Sequence, residues 1–321
     1  MDGGFRRGRR RGATTGTHGA LSLLVLLGVL SAGAGTALAQ DLEPRRWTQL
    51  PVGTNILGVG YEIRTGDIRF DPALRISDAT FTLHTAAVAY NHYFDLWGRT
   101  ARFDCLIPVQ TGEWRGMVNG ERASVSRRGL ADPRIRFSVN LIGGASVSAE
   151  DYAEYIRSQS ERTTIGAALS LYLPLGDYDD DKLINLGQNR FTIRPQLGVL
   201  HTRGPWSFEL TGSTFFYTEN DDFFGDNSLE QDPLFGMQAH VVRTLGGGFW
   251  LSGGVAYAWG GETQVNGIEN DDARSNLLYG LSFGVPVSGN QSLRVGYIRS
   301  DTRVDTGADS HCLFLSWTLR F

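Results

Sequence analysis

The chain has 321 residues, a formal net charge of −4 and two cysteines. That balance gives no basic footprint for nucleic acid, and two cysteines cannot build a disulfide framework. No run of eighteen apolar residues follows position 40, which excludes a bundle of membrane-spanning helices; 41 glycines without a collagen period point instead to many strands and turns.

The first forty positions read as an export signal. Arg6, Arg7, Arg9, Arg10 and Arg11 form a basic cluster, an apolar run follows from Ala20 to Val29, and small residues lead to Ala37-Leu38-Ala39. These are the charged, apolar and A-x-A regions of a secretory signal, too short in the middle for a membrane helix. The expected division is therefore a cleaved signal peptide at 1–39, a periplasmic or lumenal segment at 40–53, and a barrel at 54–321. The segment before the first strand has two readings: a partial plug anchored in the lumen by Trp47, or a tail hanging in the periplasm.

From residue 54 onward, apolar and small or polar residues alternate with a period of two, the signature of strands. The alternation predicts twelve strands at 54–64, 78–93, 99–112, 131–143, 162–174, 190–202, 205–218, 233–244, 248–260, 275–287, 291–301 and 310–321. One face is large and apolar, as in Leu313, Leu315, Trp317, Leu319 and Phe321; the other is small, polar or basic. In the strand at 78–93 the outward face is ambiguous. Short connections at 95–98, 203–204, 245–247 and 288–290 alternate with long polar ones at 65–77, 113–130, 175–189, 219–232, 261–274 and 302–309. The exception, 144–161, carries Ser148 and Asp151 as a capping box before a short helix through Tyr152 and Tyr155. The fold class expected is all-β, a transmembrane antiparallel barrel of about twelve strands, with short periplasmic turns and long external loops.

Trp97, Trp206 and Trp317 fall at the short-turn edge and Trp114 and Trp259 at the other, as two aromatic girdles would. Phe321, closing an alternating apolar series, is the expected assembly signal. Cys105 shares the lipid face with Phe103 and Ile107, whereas Cys312 shares the lumen face with Ser316 and Arg320, so no bridge joins them.

The lumen face collects charge. It carries Arg64, Arg102, Arg134, Arg136, Arg194, Arg294 and Arg320 against Glu62, Asp104 and Glu209, with Asp132 at a strand end. Each such charge would cost about 2–4 kcal/mol facing lipid at mid-depth, so the bore is the cheaper place. The candidate selectivity residues are Arg102, Asp104, Arg134, Arg136, Arg194, Glu209 and Arg294, and an arginine-rich bore favours anions. Pairing of Arg102, Asp104, Arg134 and Arg136 to stiffen the wall is the competing role.

The histidines and acidic runs carry no catalytic or metal-binding pattern. His84, His92, His201, His240 and His311 have Ala86, Phe94, Arg203, Val242 and Leu313 at the second following position, so no His-x-Ser pair of a barrel lipase exists, nor a G-x-S-x-G elbow. Asp177, Asp179, Asp180 and Asp181, and separately Asp221, Asp222 and Asp226, lack the spacing of an EF-hand and read as solvated loops. No cofactor and no metal are expected.

Three stretches carry a resemblance: Glu43-Pro44-Arg45 through Pro51-Val52-Gly53-Thr54-Asn55; Gly129 through Arg134; and Leu173-Pro174-Leu175-Gly176-Asp177-Tyr178, continued by Leu183 through Arg190 and Arg194 through Gly198. They resemble the outer-membrane proteins named for the meta-pathway of phenol degradation. The resemblance implies a barrel transporter distantly akin to long-chain fatty-acid transporters. The expected function is a channel for small solutes, including aromatic or hydrophobic compounds or their acids. A structural or adhesive barrel and a lipid-modifying enzyme are the alternatives. The expected partners are the bilayer, outer-leaflet lipopolysaccharide, the barrel assembly machinery and a small solute, with no nucleic acid.

Overall fold

A computed structural model of the protein describes residues 42–70 and 76–321. The export signal at 1–39 lies outside the described residues. Among those residues no helix is long and apolar enough to cross a membrane. The crossing elements are strands.

In chain order they are β1 (Asn55–Arg69), β2 (Ile76–Leu96), β3 (Arg99–Val118), β4 (Glu121–Leu130), β5 (Arg134–Ile142), helix α1 (Tyr152–Ser158), β6 (Glu161–Tyr172), β7 (Thr192–Arg203), β8 (Trp206–Tyr217), β9 (Asn220–Phe223) and β10 (Asn227–Gln231). There follow β11 (Leu234–Thr244), β12 (Trp250–Gly260), β13 (Thr263–Val265), β14 (Ile268–Glu269), β15 (Arg274–Pro286), β16 (Gln291–Thr302) and β17 (Gly307–Arg320). Every wall pairing is antiparallel, β8 pairing with β11 and β12 with β15 across the loop strands, and β17 returns to β1 from Ile56↔Arg320 to Arg69↔Gly307. The result is a closed barrel of twelve strands, with β4 and β5 together forming the fourth. Asn55 and Phe321 close the seam by exchanging backbone hydrogen bonds of 2.8 and 2.9 Å.

Alternation decides which side chains meet lipid. Leu57, Val59, Tyr61 and Ile63 of β1 and Leu313 and Leu315 of β17 are exposed, while Arg64 and Cys312 are buried inside. In β2 the odd positions Phe81, Leu83, Thr85 and Tyr93 face inward and Val88 and Tyr90 outward, which resolves the ambiguous strand. Trp97, Trp206 and Trp259 are exposed. Trp114 is not: it packs inside with Phe81, Leu83, Ile184 and Leu186, so it belongs to the interior and not to a girdle.

The long connection expected at 113–130 is largely strand. β3 and β4 form a hairpin around Asn119-Gly120, both at positive φ, the pairing that a two-residue turn of the right twist requires. The predicted strand at 131–143 instead starts at Arg134. Ile107 and Pro108 of β3 face three residues, Ala131, Asp132 and Pro133, where the ladder is interrupted. Pro108 and Pro133, each lacking an N–H, both fall in this break, and a bulge is the consequence. Beyond this break β6 has already ended, so β4 has no strand on its far side. The loop at 173–191 takes that place: Leu173 donates its N–H to Pro133 O (2.8 Å), Asp177 to Leu130 O (2.7 Å), and Arg127 Nε to Ile184 O (2.6 Å).

The loops at 219–232 and 261–274 add a four-stranded sheet, β14-β13-β10-β9, at the long-loop end. At the opposite end α1 follows Asp151, whose N–H donates to Ser148 Oγ (3.1 Å). Ser148 thus shapes the turn before the helix, and the capping position itself is Asp151.

Candidate lumenal site

The inward residues of neighbouring strands fall into register. Asp104 of β3 is opposite Arg136 of β5, Arg136 opposite Ser170 of β6, and Ser170 opposite Arg194 of β7. All four are buried. Arg134 lies one inward step away, opposite Tyr172, and Arg102 one step the other way, opposite Ser138. Five of the seven candidate residues, Arg102, Asp104, Arg134, Arg136 and Arg194, thus share one patch of wall. Asp104 holds two of the arginines, Arg102 Nε to Oδ1 at 3.0 Å and Arg136 Nε to Oδ2 at 2.9 Å. Glu209 and Arg294 sit elsewhere: Glu209 is opposite Leu200 and His240, and Arg294 is opposite Gly284 and Ser316. Arg320 is exposed at the rim, where it donates to Gly289 O.

The segment at 42–52 lies inside the barrel and completes this patch. Glu43 meets Arg136 Nη1 with both carboxylate oxygens, at 3.1 and 2.7 Å, and Arg134 Nη1 at 3.3 Å. Burial alone would raise its pKa; the charges of Arg136, Arg134 and Arg194 outweigh that and hold the carboxyl well below the usual range. The Glu43 N–H donates across the bore to Gln238 Oε1 of β11 (3.1 Å), and the Arg46 N–H to Glu209 Oε2 (3.2 Å).

Trp47 fixes the segment. Its Nε1 donates to Thr211 Oγ1 (2.8 Å), and its ring lies against Gly166 and Gly198, where any Cβ would stand 2.2 and 2.0 Å from ring atoms. Glycine is required at both by this close approach. Leu42 packs with Leu278, Ile298 and Cys312, and Arg45 lies 5.4 Å over the Trp250 ring. Tyr152 of α1 donates to Gln49 O (2.8 Å), so the connection at 144–161 serves as a brace for the segment.

Toward the long-loop end the interior turns apolar. Tyr172, Phe215, Leu234 and Ala258 form one buried cluster beside the arginines, with Arg194 stacked 4.4 Å from the Phe215 ring centre. Ile68, Phe70, Phe81, Leu83 and Trp114 form another, into which the loop at 173–191 drops Ile184 and Leu186. A basic patch thus borders buried apolar clusters.

The family described as "Putative MetA-pathway of phenol degradation" matches residues 56–310. The chain belongs to this family. Among solved structures, the COG4313 outer membrane channel from Pseudomonas putida F1 superposes with a TM-score of 0.72 at 22% identity, covering 88% of this chain and 100% of that one. The transport unit of the autotransporter AIDA-I from Escherichia coli gives 0.49 at 8% identity, covering 94% and 98%. Comparison with curated proteins finds no match. The first of these structures shares the fold of this member of the family.

Sequence reasoning missed Glu43, Arg45 and Arg46 as part of the site, because a segment without periodicity has no face to assign. Glu43 and Arg46 stand beside the one aromatic residue, Trp47, that did suggest an anchor. The acidic run Asp179, Asp180 and Asp181 does gather its carboxylates within 4.8 Å, but Lys182 bonds to Asp179 and Asp180 and Asp181 point into solvent. Cys105 is half-exposed and Cys312 buried.

Proposed function

We propose that the protein is a channel of a bacterial outer membrane that passes small solutes, among them aromatic or hydrophobic compounds and their acids. The observation that carries this reading is the adjacency, within one bore, of a patch of arginines and buried apolar clusters. Twelve strands enclose more than a side-chain-filled eight-stranded barrel and less than a general porin. Arginine in such a bore lowers the barrier for anions, and the apolar side chains beside it favour the body of an amphiphilic solute. Trp47 and Glu43 narrow the path between the two ends. In this reading the export signal at 1–39 is removed, Phe321 serves the assembly machinery, and the long loops face the outer leaflet and its lipopolysaccharide.

The test is incorporation of the purified protein into planar bilayers. Discrete conductance steps, and faster entry of aromatic acids into liposomes that carry the protein, are expected. A folded barrel that neither conducts nor speeds solute entry would leave a structural or adhesive role.

A further inference from the structure

We propose that Arg134, Arg136 and Arg194 form a binding site for the carboxylate of a small aromatic or aliphatic acid, and that Glu43 occupies it as a stand-in until such a solute displaces it. The proposal rests on the channel reading and names the solute's anchoring site.

The argument begins with what Glu43 does. A glutamate side chain is a carboxylate on a short aliphatic stem, so its contacts stand in for those of a carboxylic acid. Both of its oxygens lie on Arg136 Nη1 and one on Arg134 Nη1. Charge-assisted bonds of this kind are the ordinary way that arginine recognises a carboxylate. The site offers more donors than Glu43 uses: Arg194 Nε and Nη1 are buried and make no hydrogen bond among the described residues. Arg194 is nonetheless close enough for its charge to act on Glu43. Asp104 orients Arg136 through Nε and so leaves its outer edge for the ligand.

The surroundings choose the rest of the molecule. Arg134 is the cross-strand partner of Tyr172, and Arg194 stacks on Phe215; both aromatic residues belong to the buried apolar cluster with Leu234. A carboxylate held by the arginines therefore places an attached ring or short chain against apolar walls. The segment that supplies Glu43 contains no strand and no helix at 42–52, and contacts other than those of the Glu43 carboxylate hold it in the bore: Arg46 N–H to Glu209, Trp47 Nε1 to Thr211, Gln49 to Ala145 O and Val52 N–H to Val147 O. A solute that takes the arginines needs to break only the Glu43 contacts, while Trp47 keeps the rest of the segment in place.

The experiment uses the folded full chain in detergent, with benzoate as probe and benzyl alcohol as its neutral counterpart, binding being read by calorimetry. Occupancy by Glu43 lowers the apparent affinity by the fraction of sites left open, so Glu43→Gln is expected to bind benzoate about tenfold tighter or more, with benzyl alcohol unchanged. Adding Arg136→Ala to that variant is expected to abolish the gain. In wild type, benzoate is expected to speed hydrogen exchange at the amides of 43–48, which benzyl alcohol leaves alone; this readout stands even if Glu43→Gln fails to fold. Unchanged or weaker benzoate binding by folded Glu43→Gln, or exchange in wild type that benzoate leaves unchanged or slows, would overturn the proposal. Single-channel conductance of the same wild-type preparation separates the two claims: a conducting channel indifferent to Glu43→Gln sinks only the site, and a non-conducting one that binds benzoate as described sinks only the channel.

Discussion

The Glu43 carboxylate lies 2.7 Å from Arg136 Nη1, although 93 positions separate the two residues in the chain. This contact ties a segment outside the wall to the central arginine of the wall. It follows that the electrostatics of the bore and the position of the segment are one property, and that altering either changes both.

The first consequence concerns the anchor. Trp47→Ala removes a buried indole, a change that costs about 3–5 kcal/mol in a packed interior. Gly198→Ala should act alike without touching the tryptophan, because its Cβ would stand 2.0 Å from Trp47 Nε1. Both variants should keep the heat-modifiable migration of a folded barrel and show raised conductance with faster hydrogen exchange at 42–52. Wild-type exchange in both would show that the indole does not hold the segment.

A second concerns pH. Glu43 has its pKa depressed in the folded protein relative to its ordinary value of 4.5. A depressed carboxyl contributes stability that is fully present above the ordinary value and is lost progressively as pH falls below it. The segment should therefore stay docked from pH 7 to about 4.5 and loosen below that. Conductance of wild type should be flat over the upper range and rise in the lower one, whereas Glu43→Gln should start high and change little. A wild-type rise between pH 7 and 5 would contradict the assignment.

A third concerns the break in the fourth strand. The Asp132 carboxylate accepts the N–H groups of Gly176 (3.0 Å) and Gln188 (2.9 Å), pinning both ends of the loop that stands in for a strand beside β4. Asp132→Ala leaves two amides without acceptors, at about 1–3 kcal/mol for each that stays buried. Limited proteolysis should then cut within 173–191 while the barrel persists. Unchanged resistance would show that the backbone contacts to Leu130 and Pro133 suffice.

How much of this was legible before the structure follows from where a period of two exists. The twelve strands and the inward set Arg102, Asp104, Arg134, Arg136 and Arg194 were readable because a strand sorts its residues onto two faces. The β3–β4 hairpin was signalled by Asn119-Gly120, yet the polar residues around it read as loop, since strands that rise past the membrane have no lipid-facing apolar row. Trp114 was misassigned for a related reason: near the long-loop end the interior is apolar too, so an aromatic residue no longer marks the outside. Trp47 suggests a lumenal plug as one of two readings, but its seat against Gly166 and Gly198 and the contact of Glu43 with Arg136 join residues distant in sequence and are invisible to any local pattern.

The seam gives a fourth prediction. Phe321 exchanges both backbone hydrogen bonds with Asn55 at the point where β17 meets β1, and its ring is exposed on the lipid side. Deleting it removes the last pair of the closing ladder and the terminal apolar side chain. Folded, heat-modifiable protein in outer-membrane fractions should fall several-fold while export is unchanged. Wild-type levels would show that closure and assembly do not use this residue.

The arginine patch itself is tested most directly by reversal potential across a planar bilayer in a salt gradient. Wild type should prefer anions, and Arg134→Ala and Arg194→Ala should each reduce that preference while the channel still conducts. Cation preference in the wild type, or a reversal potential that neither substitution moves, would contradict the account of the lumen.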